Sequence, residues 1–179
     1  MNLLWRFLYT VLFSRFFKPL SLFDEGSIFF RVYPTDADLL FHMNNGRYFS
    51  FMDLGRINLM VRNKTYAIMR TNGLYPVVAS EMIRFKKSVN LFKRFELTTK
   101  LIGWDEKFFY LVQHFKVKNE VYVLGLVKAC FLNHKHKRVN TSELLSLIGN
   151  PDPIEMPDWV KDWQRADQEF HDETMSAAD

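Results

Sequence analysis

The segment from Asn44 to Met60 limits what this chain can fold into more than any other. Tyr48, Phe49, Phe51, Met52, Leu54, Ile57, Leu59 and Met60 recur at helical spacing and cover most of the circumference. A helix that is apolar nearly all round is stable only where other elements surround it. Asn44 or Asn45 can cap its first turn, and it fades at Arg62-Asn63-Lys64. Whatever else the chain builds has to wrap this helix.

The wrapping is found downstream. From Tyr75 onward the pattern changes to long strands. Pro76 to Val89 sets Met82, Arg84, Lys86 and Ser88 on one side, with Ile83, Phe85, Lys87 and Val89 on the other. Phe92 to Trp104 lines up Phe95, Leu97, Thr99 and Leu101 on one face, and Phe108 to Val117 and Val121 to Leu132 follow. The connections Trp104-Asp105-Glu106-Lys107 and Lys118-Asn119-Glu120 are short. Long strands joined by short turns make a curved antiparallel sheet, not a βαβ fold. Ser27 to Tyr33 reads as one more strand, and Thr65 to Arg70 and Thr141 to Ile148 as short helices. The expectation is an α+β chain of 179 residues with one core.

Between the first strand and the central helix lies Tyr33-Pro34-Thr35-Asp36-Ala37-Asp38-Leu39-Leu40-Phe41-His42-Met43-Asn44-Asn45-Gly46-Arg47-Tyr48. It concentrates two carboxylates, an imidazole and two amides at the start of a buried helix, where unpaired N–H groups favour developing negative charge. The spacing Asp-x-Asp-x3-His-Met-Asn-Asn-x2-Tyr resembles that of the hotdog-fold thioesterases of the 4-hydroxybenzoyl-CoA thioesterase group, in particular a subgroup with a hydrophobic N-terminal segment. The order of elements agrees with that fold, a long central helix wrapped by a curved antiparallel sheet, over residues 27 to 136.

The resemblance implies an acyl-CoA thioesterase, and the apolar lining available from a chain with 18 Phe suits a fatty or aromatic acyl group over a short polar one. The resemblance makes Asp38 the nucleophile or general base, and the Asn45 backbone amide the donor to the thioester oxyanion. His42 is a further catalytic candidate, to orient water or hold Asp38, with bonds to a neighbouring subunit as the alternative. Tyr48, Phe41 and Asn44 are candidates for substrate contact, although Tyr48 reads equally as core and Asn44 as a cap. Phe41 departs from the pattern, because many relatives place glycine just before the histidine. Arg84, Lys86 and Lys87 are the candidates for the coenzyme A phosphates, against a reading as charges guarding an edge strand. No cofactor is implied beyond coenzyme A as part of the substrate, and a homodimer or homotetramer is expected. From the residues alone, Asp38 also reads as an Asx-turn that satisfies loop amides, and Asp36 as a loop stabiliser. Asp53 and Arg56 read as an ion pair, and Glu81 as an exposed strand position, with a second site carboxylate as the alternative.

The two ends differ from the body. Residues 1–18 carry a polar stripe of Asn2, Arg6, Thr10, Ser14 and Lys18 at intervals of four, on a helix that is otherwise apolar apart from Arg15. Its uncharged run, Phe7 to Ser14, is too short to span a bilayer, which needs about 20 residues. Two readings follow: a helix lying on a membrane surface, or one covering an apolar surface of the protein. A cytoplasmic location, peripheral to the membrane in the first reading, is expected. Residues 1–23 thus form one unit, 24–149 the hotdog domain and 150–179 an acidic tail. In that tail Trp159 and Trp163 can dock one helical turn, with the last eight residues disordered.

Residues 151–179 hold nine acids and two bases, a net of −7, which leaves 22 bases and 11 acids, a net of +11, in the other 150. So basic a body suits a polyanionic partner, but nothing resembles a nucleic-acid recognition element, and no nucleic acid is expected. The single Cys130 excludes an internal disulfide. His134-Lys135-His136, placed on opposite faces of a strand, does not read as a metal site. The alternative function is a non-catalytic acyl-chain or lipid-binding module at a membrane surface.

Overall fold

The computed structural model describes residues 2–176, with side chains from Leu4 onward. In chain order the elements are α1 (Asn2–Ser14), β1 (Gly26–Arg31), a 3-10 turn (Pro34–Asp36), α2 (Asn45–Arg62), α3 (Thr65–Thr71) and β2 (Leu74–Phe85). Then come β3 (Arg94–Trp104), β4 (Phe109–Val117), β5 (Glu120–Asn133), β6 (Arg138–Val139), α4 (Thr141–Leu147) and α5 (Asp158–Ser176). The sheet runs β1-β3-β4-β5-β2, with β6 on β5 and every pairing antiparallel. It curls around α2, and the fold is the hotdog fold.

The sheet grips α2 through aromatic rings and two glycines. Phe51 packs on Phe30 and Phe95, and Tyr48 sits edge-on to Phe85 and Phe115. Gly55 lets the helix backbone approach β3 and β4 closely: a methyl group there would lie 2.7 Å from Thr99 Oγ1 and 2.8 Å from a Leu97 methyl. Gly125 on β5 does the same for Met52. One polar seam crosses this core. Gln113 is fully buried; its amide donates to the Met52 carbonyl (3.0 Å) and Thr99 (2.8 Å) and accepts from Arg56 (3.1 Å). Each group is satisfied, as burial requires. The β4–β5 hairpin turns on Lys118 and Asn119, both with left-handed φ, as a two-residue primed turn demands.

Four expectations need correction. First, residues 15–18 lie beyond α1, which ends at Ser14. Second, the tail forms a 19-residue helix rather than one turn, and it includes residues 172–176; residues 177–179 lie outside the described ones. This helix is held by contacts far away in sequence. Val160 is buried, Trp163 meets Tyr110 edge-on, Gln164 donates to Asp105 (2.8 Å), and Asp167 accepts from Ser80 (2.7 Å) and Lys128 (2.8 Å). Third, His134, Lys135 and His136 form a turn after β5, where His136 Nδ1 lies 2.6 Å from the Tyr75 hydroxyl. Fourth, Glu81 turns inward: its side chain is only 15% exposed and takes a 2.6 Å bond from Arg56. Arg56 also pairs with Asp53, as expected from their spacing.

Candidate active site

The motif loop hangs from Asp36. Its carboxylate is wholly buried and accepts both guanidinium N–H groups of Arg6 from α1, at 2.9 and 2.6 Å. It also takes the Tyr33 backbone N–H at 2.9 Å and has Arg47 at 3.8 Å. The Asp36 carbonyl in turn accepts from Asn44 N–H (2.8 Å), which closes the loop at the mouth of α2. Asp36 is therefore an anchor. Its main partner lies 30 residues upstream, and no signal in the motif points to it.

Beyond the anchor the loop doubles back. Ala37 bridges Met43, and Asp38 N–H donates to the His42 carbonyl at 2.8 Å. The segment after β2 clamps the other side. Met43 N–H donates to the Val89 carbonyl (2.9 Å), Leu91 N–H donates to Phe41 (2.8 Å), and His42 bridges Asn90. Leu39, Leu40 and Phe41 stand outward at the tip. Phe41 has φ 58°, a left-handed conformation that suits glycine and costs other residues about 1–2 kcal/mol. The position where relatives place glycine is thus one whose backbone favours glycine.

Asp38 is exposed. One oxygen, Oδ1, accepts from Leu40 N–H (2.9 Å) and His42 N–H (3.2 Å), so the Asx-turn is present. Its second oxygen has no partner among the described residues and is available to a water or a substrate. His42 touches Asp38 through its backbone, not its imidazole. Asn44 caps α2, its side chain accepting Gly46 N–H at 3.0 Å while its carbonyl takes Arg47 N–H. That leaves the N–H of Asn45, first residue of α2, with no acceptor among the described residues. It points out of a helix N-terminus, where the dipole favours an anion.

Tyr48 is 1% exposed, and its hydroxyl accepts Val89 N–H at 3.2 Å. Burial pushes its pKa up; the bond from Val89 opposes this, and the nearby charge of Asp38 adds to it. Tyr48 is therefore part of the core and supports the clamp segment through Val89. Arg84, Lys86 and Lys87 are all exposed, at the end of β2 and in the segment that reaches the loop through Val89 and Asn90. Lys87 is engaged by Glu120 at 2.6 Å, while the side chains of Arg84 and Lys86 have no bonded partner among the described residues.

A cavity of about 640 Å³ lies farther along α2. Leu54, Ile57 and Met60 of α2 line it, facing Val77, Leu111 and Phe131 of the sheet, with Leu4 and Phe7 of α1 and Leu144 of α4 also in the wall. Its charged members are Asp53 and Arg56. Asp38, His42 and Asn45 do not line it. Asp53 is eight residues beyond Asn45, about 12 Å along the helix. Loop chemistry and apolar space are therefore separate, joined by α2.

Comparisons with known proteins agree with this architecture. A family model described as the thioesterase-like superfamily matches residues 32–164. Protein THEM6 of Xenopus laevis is 31% identical over 144 residues, covering 79% of this chain and 70% of that one. YbaW, a probable thioesterase from Escherichia coli, matches in structure with a TM-score of 0.65 at 19% identity, over 70% of this chain and 97% of its own. A gentisyl-coenzyme A thioesterase matches with a TM-score of 0.61 at 17% identity, over 67% and 98%. At those identities the two solved structures share the fold.

Proposed function

Because the chain belongs to the thioesterase-like superfamily and is a thioester hydrolase, we propose that it cleaves an acyl-coenzyme A to the free acid and coenzyme A. The observation that carries this is that one short loop holds both an Asp38 carboxylate oxygen and an N–H at the start of α2, neither with a partner among the described residues. Asp38 takes a proton from water as the water adds to the thioester carbon; or it adds to that carbon itself, and water then hydrolyses the resulting mixed anhydride to the free acid and restores the carboxylate. Asn45 N–H stabilises the oxyanion, a role worth about 3 kcal/mol of barrier for one well-placed donor. Collapse expels the coenzyme A thiolate. Arg84 and Lys86 are the bases free to meet its phosphates. The name of the gentisyl-coenzyme A enzyme that shares the fold supports a coenzyme A ester.

The cavity supports a long aliphatic acyl group. A chain bound at Asn45 has to extend about 12 Å along α2 to reach it, and short acyl groups gain nothing there. A homodimer is the expected assembly: β2 is a 12-residue edge strand with Val78, Met82 and Phe85 exposed, an open ladder for a second copy. The decisive experiment is thiol release from acyl-CoAs of graded length by wild type and Asp38→Asn. Asparagine keeps an oxygen for Leu40 and His42, so the loop survives. A fall of about 100-fold or more in kcat/KM is expected, with long chains preferred. Equal rates would remove Asp38 from the chemistry. An inactive wild type that still binds acyl chains would favour the non-catalytic module.

A further inference from the structure

Helix α1 is oriented in reverse for a protein in water. Its polar stripe faces the body: Arg6 is locked on buried Asp36, Thr10 is 0% exposed, and buried Ser14 accepts a 2.8 Å bond from Asn58 of α2. Just past the helix, the Lys18 carbonyl accepts from Arg62 at 3.1 Å. The stripe is used so fully that the Thr10 hydroxyl is buried with no partner among the described residues. The apolar side faces out. Trp5 (69%), Leu8, Tyr9, Leu12, Phe13 and Phe16 (86%) are all exposed along one helix and its end. Soluble surface helices show the opposite arrangement, and apolar patches of this extent mark an interaction surface.

We propose that this outward face lies in the surface of an anionic lipid bilayer, with the helix parallel to the membrane plane. Two observations select a bilayer over a protein groove. Residues 1–23 contain no acid, and the two bases not spent on Asp36, Arg15 and Lys18, are exposed beside the apolar face, complementary to anionic headgroups. Trp5 and Tyr9 are amphipathic rings of the kind that settle at headgroup level. No helix among the described residues is long and apolar enough to cross a membrane; the proposed contact is interfacial.

Arg6 ties α1 to the loop whose tip exposes Leu39, Leu40 and Phe41. Leu4 is exposed and also lines the cavity, so docking brings the cavity wall to the lipid surface.

Vesicle flotation of the full chain tests this without reference to hydrolysis, so its failure and that of the thioesterase reading are separable. Phosphatidylcholine vesicles with and without 30 mol% (about a third) phosphatidylserine are the probes. Wild type is expected on the anionic vesicles, with binding weakened by salt. Leu8→Glu with Leu12→Glu should reduce binding at least about tenfold while leaving the unfolding midpoint unchanged, since both side chains are exposed. Arg15→Gln with Lys18→Gln should cost roughly fivefold per base, on anionic vesicles only. Absence of wild-type binding to either vesicle would overturn the proposal. So would a double-glutamate variant that binds like wild type. A wild type whose oligomer loses subunits in the double-glutamate variant, without vesicle binding, would make the face a contact between copies and overturn it equally.

Discussion

The buried pair of Arg6 and Asp36 shows how much one contact can decide. The Asp36 side chain is fully buried, and the Arg6 guanidinium takes both of its oxygens. Removing one member of such a pair typically costs about 3–5 kcal/mol, because the other is left as an uncompensated buried charge. Arg47, at 3.8 Å, can take up part of the load. Arg6→Met is therefore expected to lower the unfolding free energy by about 3 kcal/mol in chemical denaturation. A loss under about 1 kcal/mol would mean that Arg47 suffices to hold the loop. The neighbouring Asp38 behaves differently despite the same chemistry: it is exposed, and among the described residues its side chain bonds to loop amides through one oxygen and leaves the other to solvent. Two carboxylates two residues apart are thus divided by burial into an anchor and a reactive candidate.

At the scale of elements, the seat of α2 depends on Gly55. Alanine is favoured over glycine inside a helix by about 1 kcal/mol. Here the added methyl group would meet Thr99 Oγ1 at 2.7 Å, Gln113 Nε2 at 2.8 Å and a Leu97 methyl at 2.8 Å. Overpacking of this kind costs about 1–3 kcal/mol, so the steric cost outweighs the propensity gain. Gly55→Ala should be destabilised in urea with its helix content unchanged by circular dichroism. A stabilised variant would show that α2 can back away from β3 and β4. Helix α5 illustrates the other way to hold an element. It has one fully buried apolar residue, Val160, and docks largely through polar partners, chief among them Asp167 with Lys128 and Ser80.

Across the whole molecule, charge couples folding to pH through His114 on β4. Burial and the nearby Lys116 disfavour its imidazolium, and Glu25, at 3.9 Å, only partly offsets them. Its pKa in the folded chain is therefore below the ordinary value of about 6.5. The unfolded chain binds that proton more readily, so this stability is fully present above about pH 6.5 and is lost as pH falls toward the folded pKa. Between pH 7.5 and 5.5, wild type should lose more unfolding free energy than His114→Gln, as measured by denaturation at each pH. Equal losses would show that the imidazole is not the group responsible.

The sequence alone determined the wrapped helix, the long strands and the motif between them, because periodicity and turn residues are local signals that survive without partners. The Asx-turn of Asp38 and the Asp53–Arg56 pair were legible too, since each depends on spacing within one segment. Which side of α1 faces the body was not legible. The stripe of Arg6, Thr10 and Ser14 is equally regular whichever way it points, and only Asp36 and Asn58, at distances of 30 and 44 residues, turn it inward. The same holds for Glu81 and for α5. Their partners lie on other strands, and a buried ion pair reads in sequence as an ordinary surface charge until the fold brings both members together.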